Sequence, residues 1–198
     1  MAGPDTKSSR EDIVVRIVLS ALSVSLVFLG TYSFITPIPA TGGYFNFGDI
    51  MIFITALTFG PVAGGVGGGL GSSLSDLLGG FTAFAPFTLF IKGLEGGVAG
   101  FIAQRRFRGS LFAAWLLAGS VMVGGYFVTE AALIGLFYGA SETTGVVAAL
   151  AEVPFNFLQV FAGGVVGIPV SLILKRRLPV LLLGRRPKSS TGSQPKLD

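Results

Sequence analysis

The chain has 198 residues, of which 51% are hydrophobic and only 12% are charged, and its formal net charge is +4. The apolar residues come in runs of about twenty, which is typical of a helical protein that crosses a membrane several times and argues against a soluble domain. The chain contains neither Cys nor His. We therefore expect no disulfide, no zinc, haem or iron–sulfur site, and no cofactor.

The predicted class is an all-α membrane protein with six transmembrane helices. In chain order the helices are expected at about 13–35, 48–60, 62–80, 86–104, 110–138 and 145–175. The first apolar run is too long for a cleaved signal and is interpreted as a retained span. Pro154 is interpreted either as a kink or as the start of the final span. Residues 1–12 are predicted to be a cytoplasmic segment, 13–178 the transmembrane domain, and 179–198 a basic, disordered cytoplasmic tail.

The basic residues indicate the orientation of the chain. They cluster before the first helix, between the fourth and fifth, and after the sixth, at Lys7, Arg10, Arg16, Arg105, Arg106, Arg108, Lys175, Arg176, Arg177, Arg185 and Arg186. The connections at 36–47, 81–85 and 139–144 contain no Lys or Arg. Because positive residues stay in the cytoplasm, both termini are predicted to be cytoplasmic. The net positive charge is thus a topology signal, and we expect no nucleic-acid partner.

Ionisable and polar residues recur in the outer halves of the predicted helices. The candidate ligand-binding residues are Asn46, Asp49, Asp76, Lys92, Glu95, Tyr126, Glu130, Glu152, Asn156 and Gln159. Charges at membrane depth are costly, so they normally face the bundle interior or a water-filled cavity. The layer holds five acids and one lysine, which favours a cationic or donor-rich ligand unless some carboxyls are protonated.

Helical spacing places these residues on shared faces. Lys92 and Glu95 are three residues apart, Tyr126 and Glu130 are four apart, and Glu152, Asn156 and Gln159 follow one stripe. Two interpretations remain open for each residue: a ligand contact, or a structural pair within the bundle. The glycines of the third, fourth and sixth helices predict close backbone packing rather than a phosphate-binding loop.

One stretch resembles a known family. The run NFGDIMIFITALTFGPVAGGVGGGLGSSLSDLL, followed by PFTLFIKGLEGGVAGFIAQR, is similar to the substrate-binding S components of energy-coupling factor (ECF) vitamin transporters. The resemblance spans about residues 12–178. It implies a six-helix bundle in a prokaryotic cell membrane that captures a vitamin or precursor at its outer face under the first outer loop.

The resemblance also implies partners and the absence of catalysis. An S component works with a transmembrane T subunit and two ATPase subunits and is not an enzyme. In the family, small residues on the first helix contact the T subunit, usually as AxxxA. Here Ala21 and Ser25 occupy these positions, so a serine replaces the second alanine. The ligand is expected to be a nitrogenous heterocycle, and riboflavin, thiamine and a pyrimidine precursor stay open.

Other functions remain as alternatives. The main one is a self-sufficient secondary transporter coupled to protons through Asp76, Glu95 or Glu130. Such carriers are usually built from repeated halves, and no internal repeat is visible. A membrane-embedded enzyme would be expected to carry His or a paired-carboxylate metal motif, which the chain lacks. A purely structural membrane partner is also compatible with the sequence.

Overall fold

The computed structural model describes residues 6–39, 41–105, 107–137 and 142–178. These residues form six helices and one β-hairpin. The elements are α1 (Thr6–Tyr32), β1 (Thr36–Ile38), β2 (Gly43–Phe45), α2 (Gly48–Phe59), α3 (Pro61–Gly79), α4 (Ala85–Ala103), α5 (Ser110–Phe137) and α6 (Glu142–Arg177). The prediction of six helices is confirmed. The two short strands were not predicted.

The helix ends differ modestly from those expected. α1 begins at Thr6, inside the segment 1–12 that was predicted to precede it, while α2, α3 and α4 match to within one residue. α6 runs unbroken through Pro154, so this proline does not begin a separate span. The predicted tail at 179–198, Arg106 and residues 139–141 of the predicted loop lie outside the described residues, and residues 142–144 of that loop belong to α6.

Three helices in the described part of the chain are long and apolar enough to cross a membrane. These spans are Asp12–Tyr32, Ser110–Leu133 and Thr144–Arg177. α2 is apolar but has only 12 residues, most of them buried. It packs against α1, α3, α4 and α6, so it forms the centre of the bundle rather than its rim.

Glycine lets α3 approach α1 and α4 closely. A side chain at Gly67 would meet Ser23 of α1, and one at Gly96 of α4 would meet the backbone of Gly64. Gly97, one position further along α4, has no neighbouring atom within 4 Å of such a side chain. A small residue is therefore required at particular positions of this interface, as expected for close helix packing in membranes.

A glycine and a proline together form the connection between α2 and α3. Gly60 has φ 96°, in the region that favours glycine, and its N–H donates to the carbonyl of Ala56. Pro61 then opens α3, where its missing N–H costs no helical hydrogen bond. The boundary that the sequence predicts between the second and third helices, at residues 60–62, is confirmed to within one residue.

Apolar and polar residues separate along the bundle axis. Phe53, Ala56 and Leu57 of α2 pack with alanines of α4 and α5 in one half of the bundle. The other half carries the hairpin, in which β1 pairs antiparallel with β2 and Ile38 lies opposite Gly43. β2 also contacts α6. The hairpin thereby covers the polar half of the bundle.

Candidate functional site

A small cavity lies beneath the hairpin. Its wall comprises residues of α1, α3, α4, α5 and α6, residues of the hairpin, and Asn46 just before α2. Its volume is about 20 Å³, which is room for roughly one water molecule. A vitamin-sized molecule is far larger, so its entry requires the hairpin or a helix to move.

The structure brings eight of the ten predicted residues to this cavity. They are Asn46, Asp76, Lys92, Tyr126, Glu130, Glu152, Asn156 and Gln159. Asp49 and Glu95 are also buried, but they do not line the cavity. Instead, both carboxylates contact the amine of Lys92 from outside the cavity wall. The wall further includes Thr31, Gly43, Tyr44, Ser72, Phe84, Thr88 and Met122, which were not among the predicted residues.

Lys92 is held by two carboxylates. Its amine forms an ion pair with Asp49 of α2 and lies 3.1 Å from Oε2 of Glu95, one turn along α4. It also sits 5.5 Å from the ring centroid of Tyr126. All three charged side chains are nearly inaccessible to solvent. The only lysine of the layer is therefore neutralised within the protein, and it links α2 to α4.

Tyr44 ties the hairpin to α3. Its hydroxyl donates to Oδ1 of Asp76 at 2.6 Å. Burial, together with the neighbouring Asp76 carboxylate, raises the pKa of Tyr44 above its ordinary value, so the phenol keeps its proton. Nearby, the hydroxyls of Thr88 and Tyr126 share a hydrogen bond of 3.0 Å.

A second tie joins the hairpin to α6. The hydroxyl of Thr41 donates to Oε2 of Glu152, and it also accepts from the N–H of Gly43 at 3.1 Å. The absence of a side chain at Gly43 leaves room for the Glu152 carboxyl, which a Cβ would meet at 2.7 Å. The hairpin is thus fastened to two helices on different sides of the cavity.

The α5 and α6 side of the cavity carries unpaired polar atoms. Glu130 is completely buried, and its carboxyl lies beside that of Glu152. Nε2 of Gln159 donates to Oδ1 of Asn156 at 3.2 Å, and no other described residue pairs with Oε1 of Gln159 or Nδ2 of Asn156. Buried polar groups are normally satisfied, so these atoms make this side of the cavity a candidate place for a polar ligand.

Sequence spacing could have identified some of the unpredicted residues. Ser72 precedes Asp76 by one helical turn, so the two share a face. Gly43 and Tyr44 lie in the hairpin, whose geometry has no helical period. Among the aromatic residues near the outer loops, Tyr44 and Phe84 line the cavity, whereas Phe45 and Phe47 pack edge to face with each other.

Ala21 and Ser25 lie together on an exposed face of α1. The Ser25 hydroxyl donates to the Ala21 carbonyl at 3.0 Å, so the extra oxygen is satisfied within the helix. Both residues are exposed, whereas Ser23 and Val27 of the same helix lie against glycines of α3.

A larger groove of about 580 Å³ lies between α5 and α6. Its lining is mostly apolar, and residues such as Phe157 and Phe161 are more than half exposed. It lacks the convergent polar groups that fix a small polar ligand. The small cavity under the hairpin is therefore the better candidate site.

Comparisons with known proteins agree with this architecture. The chain is 39% identical over 147 residues to an uncharacterised protein of Pyrococcus woesei, covering 74% of this chain and 92% of that one. It is 30% identical over 164 residues to the thiamine precursor transporter HmpT of Lactococcus lactis, covering 82% of this chain and 89% of that one.

A solved structure and a family profile match over most of the chain. The solved structure, an S component of a bacterial ECF transporter, matches with a TM-score of 0.53 and 25% identity over 88% of this chain and 99% of that one. The profile described as "ECF-type riboflavin transporter, S component" matches residues 12–176. The resemblance found in the sequence is confirmed, and the chain belongs to the S-component family of ECF-type transporters for vitamins and their precursors.

Proposed function

We propose that this protein is the substrate-capturing subunit of an ECF-type importer, binding a vitamin or vitamin precursor for ATP-driven uptake. The observation that carries the proposal is the polar cavity, with unpaired buried atoms and a hairpin fastened over it. A lid tied to two helices suits a protein that holds its ligand tightly and gives it up only when the bundle is rearranged.

The proposal includes an orientation in the membrane. All six helices are embedded in a prokaryotic cell membrane, both termini are cytoplasmic, and the hairpin faces outward. Residues 13–178 form the embedded domain, between a short N-terminal segment and a basic tail. The distribution of Lys and Arg supports this orientation, and so does the position of the polar cavity beneath a connection without basic residues.

Three partner subunits follow from this role. A transmembrane T subunit and two ATPases would drive release of the ligand to the inside. The exposed pair Ala21 and Ser25 is the proposed contact with the T subunit, because small residues let a partner helix approach closely. Because the Ser25 hydroxyl donates to the Ala21 carbonyl of its own helix, it adds little polarity to this face.

The predicted site residues take two roles in this proposal. The eight that line the cavity contact the ligand, and Asp49 and Glu95 position Lys92 from behind. The ligand is a nitrogen heterocycle. The family description names riboflavin and one relative is named for a thiamine precursor, so flavin and pyrimidine compounds are the first to test.

Dependence on partners tests the proposal directly. The purified chain in mild detergent is expected to bind one molecule from a panel of riboflavin, thiamine and pyrimidine precursors, detected by native mass spectrometry. Cells should accumulate that compound only when the T subunit and both ATPases are produced with the chain. Accumulation by the chain alone, driven by a proton gradient, would instead establish a secondary transporter.

Tyr44→Phe is expected to speed ligand dissociation by about tenfold, because the hairpin loses a hydrogen bond to a carboxylate. The association rate should change little, since the aromatic ring remains. Tyr32→Phe, at an exposed position of α1, provides the matched control. Stopped-flow measurement of both rates checks the prediction, and equal dissociation from Tyr44→Phe and wild type would show that this tie does not retain the ligand.

A further inference from the structure

The groove between α5 and α6 offers no free hydrogen-bond donor to an occupant. Among its lining residues, only Trp115 and Ser120 have a polar side-chain atom. The indole N–H of Trp115 donates to the carbonyl of Val160 at 2.7 Å, and the Ser120 hydroxyl donates to the carbonyl of Leu116 at 2.8 Å. Both donors are thus used within the protein. The part of an occupant that lies in this groove must therefore be apolar.

The shape of the groove favours a flexible chain over a partner helix. Leu116, Leu158 and Phe161 line it and are more than half exposed. Gly124 also lines it, and no atom lies within 4 Å of a Cβ added there, so the groove is open beside this position. Helices dock in membranes through small residues, and bulky exposed side chains would hold a partner helix away. A hydrocarbon chain can lie between such side chains.

The length of the groove matches one leaflet of a bilayer. It extends along α5 from Trp115 to Gly124, a stretch of helix that rises about 15 Å. This distance is half of the hydrocarbon thickness of a typical bilayer, which is about 30 Å. Both α5 and α6 are long and apolar enough to cross a membrane. The groove therefore has the length and the surroundings of a single acyl chain.

The contacts between α5 and α6 show which helix ends lie beyond the groove. A Cβ at Gly119 would meet Val160, whereas one at Gly164 would meet Trp115. The partner residue thus moves forward along α6 as the position moves back along α5, so the two helices are antiparallel. The end of the groove at Trp115 is consequently the end nearer to the start of α5 and the last turn of α6.

This end of the two helices is basic and aromatic. Arg108 precedes α5, and the last turn of α6 contains three basic residues, Lys175, Arg176 and Arg177. Neither 104–114 nor 162–178 contains Asp or Glu. The rings of Phe112 and Trp115 pack with their centroids 5.4 Å apart, and aromatic residues are enriched at membrane–water interfaces. Positive charge beyond an apolar groove complements the headgroup of an anionic lipid.

We propose that the groove between α5 and α6 binds one acyl chain of an anionic phospholipid, with the lipid phosphate beside Arg108 and the basic last turn of α6. In our proposed orientation this lipid belongs to the cytoplasmic leaflet. The groove shares no lining residue with the cavity under the hairpin. The inference therefore goes beyond the proposed function and does not depend on the identity of the captured ligand.

The fluorescence of Trp115 tests the proposal, because this residue is the only tryptophan of the chain. The full chain is reconstituted in phosphatidylcholine vesicles that contain rising fractions of phosphatidylglycerol with brominated acyl chains, which quench tryptophan on contact. A parallel titration uses brominated phosphatidylcholine. We expect phosphatidylglycerol to be preferred at least about threefold at the quenching site, because its headgroup is anionic.

Two other results of this titration would overturn the proposal. Equal quenching by both lipids would mean that only bulk lipid reaches Trp115. The absence of quenching by either lipid would mean that a second copy of the chain, or another protein segment, covers the groove.

Gly124→Leu tests whether the acyl chain lies in the groove. The new side chain would enter the open space beside position 124 without meeting another residue at its Cβ. We expect this variant to lose the preference for phosphatidylglycerol, because the acyl chain loses its place. Gly97→Leu, at an equally open position of α4, is the matched control and should keep the preference. An unchanged preference in Gly124→Leu would place the acyl chain elsewhere and overturn the proposal.

Arg108→Gln tests the position of the headgroup. We expect the preference for phosphatidylglycerol to fall by about twofold or more, because one cation near the phosphate is removed. Arg10→Gln, at an exposed position near the start of α1, removes the same charge elsewhere and should keep the wild-type preference. An equal fall in both variants would indicate a general effect of surface charge, and no fall in Arg108→Gln would remove the headgroup from this end. Either result would overturn the proposal.

Discussion

Gly96→Ala is expected to destabilise the folded bundle by at least about 3 kcal/mol, because its methyl group would enter the backbone of α3. A Cβ at position 96 would lie against the carbonyl oxygen of Gly64, 2.5 Å from the carbonyl carbon and 3.1 Å from the N of Gly65. These are backbone atoms and cannot turn aside as a flexible side chain would. The two helices would have to separate.

Gly97→Ala is the matched control, one residue further along α4. No atom lies within 4 Å of the added methyl group, and alanine is favoured over glycine in a helix by roughly 0.5–1 kcal/mol. This variant is expected to be neutral or slightly stabilised. Thermal unfolding in detergent, followed by size-exclusion fluorescence, compares the two. Equal melting of both variants would mean that α3 and α4 are not in direct backbone contact.

Lys92→Met is expected to destabilise the protein by about 3–5 kcal/mol, since it leaves two buried carboxylates without their cation. Asp49 and Glu95 are both completely buried, and each contacts the amine of Lys92. The removal of one partner from a buried ion pair costs more than the pair itself contributes. For a protein of this length the melting temperature should fall by roughly 10 °C.

Two further variants show whether the charge is the cause. The triple variant Lys92→Met, Asp49→Asn, Glu95→Gln removes all three charges and is expected to recover much of the lost stability. Lys175→Met removes a lysine from the last turn of α6, away from Asp49 and Glu95. This variant should change the stability by less than about 0.5 kcal/mol. If the triple variant melted as low as the single one, packing of the lysine stem would be the dominant effect.

The helices could be predicted from the sequence because they are long apolar runs, some of them ended by glycine or proline. The end of α2 and both ends of α3 agree to within one residue because Gly60, Pro61 and Gly80 fix them locally. α1 extends further than predicted because hydropathy marks where a helix is apolar, whereas a helix can continue into polar residues. The hairpin was missed because strands of three residues have no measurable periodicity.

Spacing along a helix predicted which polar residues share a face but could not give the direction of that face. Lys92 and Glu95 share one side of α4, and only the packing shows that Lys92 reaches the cavity while Glu95 lies behind it. Asp49 was expected to face the ligand because it lies in the outer half of the second helix, but it contacts Lys92 and does not line the cavity. The hydrogen bonds of Thr41 and Tyr44 could not be predicted, since they join the hairpin to α6 and α3, which are distant in sequence.

Because α2 is short, we expect the depth of the neighbouring hairpin in the membrane to depend on bilayer thickness. Twelve residues rise about 18 Å, whereas the hydrocarbon layer of a typical bilayer is about 30 Å thick. The hairpin directly precedes this short central helix, and Thr36 and Pro37 of its first strand are exposed at the surface of the bundle. In our proposed orientation, we expect a thicker bilayer to place the hairpin deeper in the membrane and a thinner one to bring it nearer to water. We therefore expect the lipid composition to affect how readily the hairpin opens.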